Sequence, residues 1–226
     1  MYKKKRVTAV ILAAGNGSRM GSHDNKVYLR LGGHPVIQYS LLAFDGHPNI
    51  DELVLVIRPE EQGDLEEILG TLPLQKPWRI AFGGDTRQES VRKAIAEVKN
   101  PLVMVHDGAR PFVQKRYIDQ CLEILERMDG VIVALPGVRG LMSLAGRPVD
   151  QMTYAAQTPQ CFHTKILRKC HEKHVKTPGI TDDSSLLERE GYQVGIVAGD
   201  LFHIKITTPL DLPLAEAYLA EGVCVE

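Results

Sequence analysis

Four short runs of apolar, mostly β-branched residues punctuate the chain at 7–12, 53–57, 102–105 and 131–135. They are continuously apolar rather than alternating, so each reads as a strand covered on both faces. Between them, residues 35–44, 60–69, 89–98 and 115–128 carry apolar positions three and four apart, the period of an amphipathic helix. A last helix follows Pro209 over 210–219. Strands alternating with helices predict parallel βαβ units, and therefore an α/β sandwich around a mostly parallel sheet. No repeat or Gly/Ser linker breaks the pattern, so 1–226 reads as a single domain. The exception begins at Pro136: with Gly137, Gly140, Gly146 and Pro148 and no period of either kind, residues 137–157 read as a short protruding arm or hairpin.

Composition narrows the picture. The chain has 226 residues, 44% of them hydrophobic, enough to bury a sizeable core. Lys plus Arg number 27 against 28 Asp plus Glu, so no global field draws nucleic acid or an anionic membrane, and a phosphate site has to be local. Cys121, Cys161, Cys170 and Cys224 have neither metal-ligand spacing nor disulfide-scaffold density, and are expected to be reduced thiols. The apolar stretch behind the basic start covers only 7–14, too short for a membrane span, which leaves the cytoplasm as the expected location.

In open α/β sheets ligands bind beyond the carboxyl ends of the strands, and three such loops are chemically unusual. After the first strand comes LAAGNGSRMG at 12–21, with Lys26 a few residues on. Glycines there let backbone N–H groups approach phosphates, and Arg19 and Lys26 supply opposing charge. A dinucleotide fingerprint would need glycine at Met20 and an acid after the second strand, where Arg58-Pro59 stands; an ATP P-loop would need Gly-Lys-Ser/Thr, which is absent. The third run ends in His106-Asp107-Gly108-Ala109-Arg110, where Asp107 can serve a metal or a sugar hydroxyl and Arg110 can hold it or an anion. His106 is read as a hydrogen-bonded structural residue. Residues 202–209 read as an alternating strand with His203, Lys205 and Thr207 on one face. In GGDTRQES at 83–90, Asp85 or Thr86 can cap the next helix. His171 and His174, three apart on a helix with no third ligand, read as a surface face rather than a metal site.

Together these segments resemble the methylerythritol-phosphate cytidylyltransferase family. The resemblance spans nearly the whole chain: LAAGNGSRM at 12–20, NKVYLRLGGHPVI at 25–37, GGDTRQESV at 83–91, VHDGARPF at 105–112, QTPQCF at 157–162, TDDSSLLE at 181–188 and HIKITTPLDL at 203–212. It implies a Rossmann-like nucleotidyltransferase fold and a CTP-dependent reaction that releases pyrophosphate, with Mg²⁺ as cofactor and CTP and a small phosphorylated polyol as partners. By the resemblance Ala13, Ala14, Gly15, Gly17 and Gly108 belong to nucleotide binding, as do Gly84, Asp85 and Ser90, which select cytosine. Arg19, Lys26 and Lys205 carry the catalytic charge. Asp107, Arg110 and Thr207 face the acceptor, and Asp107 also the metal. The chain departs from the family at Gly140 and Leu141, where Asp-Thr is expected, and at Asp150, where an arginine is expected. Those changes leave three readings open for the acceptor half: methylerythritol phosphate, another acceptor such as ribitol 5-phosphate or a phosphonate, or CTP binding without turnover. They bear equally on a homodimer held through the arm.

Overall fold

A computed structural model describes residues 1–15, 25–137, 153–175, 177, 180 and 182–222. In chain order these contain β1 (Val7–Leu12), a small hairpin of β2 (Arg30–Leu31) and β3 (His34–Pro35), α1 (Val36–Asp45), β4 (Glu52–Ile57), α2 (Gln62–Thr71), β5 (Trp78–Phe82) and α3 (Arg87–Glu97). There follow β6 (Leu102–Asp107), α4 (Lys115–Ile124), β7 (Gly130–Pro136), β8 (Tyr154–His163), α5 (Thr164–Lys173), α6 (Ser184–Arg189), β9 (Val194–Ala198) and α7 (Asp211–Ala220).

Seven strands join in the order β5-β4-β1-β6-β8-β7-β9. Strand β8 runs antiparallel to both neighbours, and the other neighbouring pairs are parallel. Alternate residues of one strand feed two separate cores. Val7, Ala9 and Ile11 of β1 pack with α1, α2 and α4 through side chains such as Phe44, Leu65 and Tyr117. Val10 packs on the other side with Val91 and Ile95 of α3, Leu167 of α5 and Leu187 of α6. Burial on both faces explains why β1 and β6 read as unbroken apolar runs, each such side chain contributing about 1.5–3 kcal/mol. A smaller cluster of Leu31, Phe112, Ile206 and Ala215 seats α7 against the β2–β3 hairpin.

Three expectations change. Residues 154–157, assigned to the arm, begin β8: Leu135 pairs with Ala155 and Pro136 with Tyr154, so the described ends of the excursion are an antiparallel ladder. Residues 138–152, with Gly140, Leu141 and Asp150, lie outside the described residues. Residues 202–209 form no strand, because their backbone groups are taken elsewhere: Ile206 N–H donates to Ala109 O, and His203 O accepts from Arg110 and Gln157. His171 is buried rather than on a surface, with its Nε2 3.0 Å from Asp183 Oδ1.

Candidate active site

Strands β1 and β6 lie side by side at the centre of the sheet and end in register, Leu12 against Asp107. The chain crosses from β1 outward to β4 and β5 and then returns to β6 on the other side of β1, which opens a crevice at their carboxyl ends. Gly108 N–H donates to Leu12 O at 2.8 Å, and a Cβ at Gly108 would stand 3.0 Å from that oxygen, so the close crossing of the two strand exits favours glycine. A cavity of about 400 Å³ fills the crevice.

Ala13, Ala14 and Gly15 form its wall beyond β1, and Lys26 faces it from a 3-10 turn, Lys26–Tyr28. Gly84 and Asp85 enter from the turn between β5 and α3, Ser90 from the first turn of α3, and Asp107 and Lys205 close the far side. Thr86 caps α3, accepting from Glu89 N–H at 3.1 Å. Ser90 Oγ accepts from Gly84 N–H at 3.0 Å and donates to Thr86 O at 2.9 Å, so the turn is stapled to the helix that follows it. Gly17 and Arg19 lie outside the described residues.

The charges converge on Asp107, which is 8% exposed. Lys205 Nζ donates to its Oδ2 at 2.6 Å, Arg87 Nε to its Oδ1 at 3.3 Å, and Arg110 Nε stands 3.8 Å from Oδ2. Burial opposes ionisation, yet Arg87, Lys205 and Arg110 outweigh it and hold the carboxyl well below the usual carboxylate range. Arg87 also reaches the buried Asp183, Nη1 to Oδ2 at 2.8 Å, and thus bridges two carboxylates. Behind it His171 fixes the other oxygen of Asp183.

A second cavity, of about 290 Å³, lies on the other side of this cluster. It shares Arg87, Asp107 and Lys205 with the first and adds Arg110, Gln157, Thr158, Gln160 and Asp182. The shared side chains therefore form a charged partition between two polar chambers. Two anionic reactants, one in each chamber, would meet across it with cations on both sides.

Two expected residues stand elsewhere. Gly108 shapes the crossing but is not among the residues lining either cavity. Thr207 does not line them either: its hydroxyl donates to Asp211 Oδ2 at 2.8 Å at the start of α7. His106 is buried and hydrogen-bonded to Thr158 at 3.0 Å, and burial pushes its imidazole down to about 3, consistent with a neutral structural residue. Arg87 was missed by sequence reasoning, although its place between the cap Thr86 and Ser90, three residues before the latter on α3, was a usable signal. Gln157, Thr158, Gln160 and Asp182 were visible only as parts of motifs. Among the described residues no three His, Cys, Asp or Glu side chains converge as a metal cage.

Comparison with known proteins agrees with this arrangement. Residues 7–221 match the model of the family described as 2-C-methyl-D-erythritol 4-phosphate cytidylyltransferase. A curated protein of that name from Bacillus velezensis is 38% identical over 219 residues, covering 93% of this chain and 94% of its own. The crystal structure of 4-diphosphocytidyl-2C-methyl-D-erythritol synthase from Anaerococcus prevotii superimposes with a TM-score of 0.82 at 30% identity, covering 96% of this chain and 99% of that one. The 2-C-methyl-D-erythritol 4-phosphate cytidylyltransferase of Thermus thermophilus superimposes with a TM-score of 0.75 at 32% identity, covering 96% and 99%. A mostly parallel sheet with two chambers at its centre, matched over almost its whole length, makes this chain a member of the 2-C-methyl-D-erythritol 4-phosphate cytidylyltransferase family.

Proposed function

We propose that the chain transfers the cytidylyl group of CTP to 2-C-methyl-D-erythritol 4-phosphate, releasing pyrophosphate and forming the CDP derivative used in non-mevalonate isoprenoid precursor synthesis. The observation that carries this reading is the pair of cavities meeting at Arg87, Asp107 and Lys205. In it CTP occupies the larger chamber. Ala13, Ala14, Gly15 and Gly17 follow the triphosphate, Arg19 and Lys26 neutralise it, and Gly84, Asp85 and Ser90 read the base. The acceptor takes the smaller chamber beside Arg110 and Asp107.

An acceptor phosphate oxygen attacks the α-phosphorus in line; the bond to the bridging oxygen breaks, and its electron pair leaves with pyrophosphate. A phosphate monoester is an anion near neutral pH, so no general base is required. Catalysis reduces to bringing two repelling anions together and stabilising charge at the α-phosphate, work suited to Lys26, Lys205 and Arg19. Asp107, which lines the larger cavity together with Asp85, would hold a Mg²⁺ ion whose remaining ligands are mostly substrate oxygens, the usual habit of that ion. When bound, Mg²⁺ supplies charge neutralisation at the phosphates.

The test is pyrophosphate release by the purified protein with Mg²⁺, 2-C-methyl-D-erythritol 4-phosphate and each of CTP, ATP, GTP and UTP. CTP-selective release is expected. Faster turnover with ribitol 5-phosphate in place of the methylerythritol substrate would reassign the acceptor. Within this reading the enzyme is cytoplasmic and dimerises through the part of the arm that precedes β8; sedimentation of the parent against a chain lacking 139–151 tests the latter, and the same oligomeric state in both would refute it.

A further inference from the structure

The glycine-rich segment leaves the sheet at Ala13 and returns at Asn25, and the two ends are tied to each other. Asn25 is 3% exposed, and its carboxamide is used on both sides. Its Nδ2 donates to Ala13 O and, at 2.8 Å, to Glu61 Oε1; its Oδ1 accepts from Val27 N–H at 3.3 Å. Glu61 is itself buried, at 4% exposed, and accepts from Arg58 twice: from Nη2 at 2.6 Å and from the backbone N–H at 3.1 Å. Arg58 follows β4 directly, and β4 also holds Ala13, whose N–H donates to Val56 O at 2.7 Å. Both ends of the segment are thereby fastened to the junction of β4 and α2.

A buried carboxylate is a poor choice for packing alone, since removing it from water is costly unless it is paired and hydrogen-bonded. What it adds is direction. The Glu61 oxygens accept from Arg58 and Asn25, which fixes the carboxamide of Asn25 with its Nδ2 toward Glu61 and Ala13 and its Oδ1 toward Val27. Lys26 lies between Asn25 and Val27, and Ala13, Asn25, Lys26 and Val27 all line the larger cavity.

We propose that Asn25, backed by Glu61 and Arg58, is a positioning residue for CTP: it ties Ala13 to the Lys26–Tyr28 turn and sets the point from which Lys26 acts. The inference rests on the reading of the larger cavity as the CTP site. A displacement on the order of 1 Å at such a point costs about 10²-fold in rate, so the effect belongs in nucleotide binding and turnover rather than in acceptor binding.

The variants are Asn25→Asp, Glu61→Gln and their combination, each studied below its thermal transition. Asn25→Asp sets a second carboxylate against Glu61 and removes the donor to Ala13. Calorimetric titration with CTP and Mg²⁺ is expected to show binding about tenfold or more weaker, with the CTP KM raised in parallel and the acceptor KM within about twofold. Adding Glu61→Gln lets the new amide donate to Asp at 25 and recovers part of the loss, so the two changes are less than additive. Unchanged CTP binding in Asn25→Asp, an equal rise in both KM values, or no recovery in the double variant would each overturn the proposal. If Asn25→Asp does not fold, Glu61→Ala takes its place, with the same CTP-selective loss expected. A parent protein that fails to bind CTP at all would sink the underlying reading, and the proposal with it.

Discussion

Lys205 Nζ donates to Asp107 Oδ2 at 2.6 Å, while Arg87 holds the opposite oxygen of the same carboxylate at 3.3 Å. The relationship is asymmetric: Asp107 has cations on both oxygens, so Lys205 can turn to a phosphate and leave Asp107 still compensated. Lys205→Ala is therefore expected to fold and to bind CTP, yet to lose on the order of 10²-fold in kcat, the loss typical of removing one donor to a developing charge. Lys26→Ala should fall by a similar factor. Turnover within about threefold of the parent in a folded Lys205→Ala protein, read from pyrophosphate release, would remove it from the chemistry.

Arg87 tests the partition between the chambers. Its planar guanidinium reaches Asp107 with one nitrogen and Asp183 with another, a span that a lysine ammonium cannot reproduce. Arg87→Lys can serve only one of the two buried carboxylates, but Asp107 keeps Lys205 and Arg110 and Asp183 keeps His171, so the loss should stay below the about 3–5 kcal/mol of a buried charge left wholly uncompensated. The expected result is a lowered urea midpoint together with a raised acceptor KM. An unchanged midpoint would show that Asp183 is satisfied by His171 and its other neighbours alone.

Much of this architecture was legible from patterning, and the exceptions have physical reasons. Strand β1 was readable to the residue because both of its faces are buried. Strand β8 was not, because Gln157, Thr158, Pro159 and Gln160 interrupt its apolar run, and the polar three of them are turned to the second chamber and to buried loops. Strands β5 and β9 sit at the two edges of the sheet, where half-exposure thins the apolar signal, as at Arg79 of β5. The glycine-rich loop, the GGD turn and Asp107 were visible because strand ends announce them. Arg87, Asp183 and His171 form a chain that crosses three helices, and no local pattern encodes a contact between residues so far apart in sequence.

Ser90 separates base recognition from phosphate binding. Its hydroxyl fixes the Gly84 N–H and the Thr86 carbonyl, and a Cβ at Gly83 would sit only 2.6 Å from that of Ala14, so the turn is held tightly against the glycine-rich segment. Ser90→Ala removes one part-buried hydrogen-bonding group and should cost about 1 kcal/mol in stability. Its larger effect is expected in nucleotide choice: the ratio of kcat/KM for CTP over UTP should fall by about tenfold with the acceptor KM unchanged. A preserved ratio would mean that the turn does not read the base through this hydroxyl.

The most direct pH effect comes from the histidines beneath the site. His106 and His203 are buried with ring centroids 6.1 Å apart. Burial, reinforced by His203, pushes His106 down to about 3; burial, reinforced by Arg110, pushes His203 down to about 4. In the unfolded chain each titrates near 6.5. Between those values the unfolded chain binds protons that the folded one refuses. Their contribution to stability is therefore complete above about 6.5 and is lost as pH falls toward 4. The depressed carboxylates Asp107 and Asp183 give way only below the ordinary carboxylate value of 3.8, so they leave this window to the histidines. At pH 5 each histidine should remove roughly 2 kcal/mol relative to pH 7.5. Urea unfolding at the two pH values measures the drop, and His203→Gln should reduce it by roughly 2 kcal/mol, because glutamine has no proton to gain. A parent protein equally stable at both pH values would show that the unfolded chain does not outcompete the folded one for these protons.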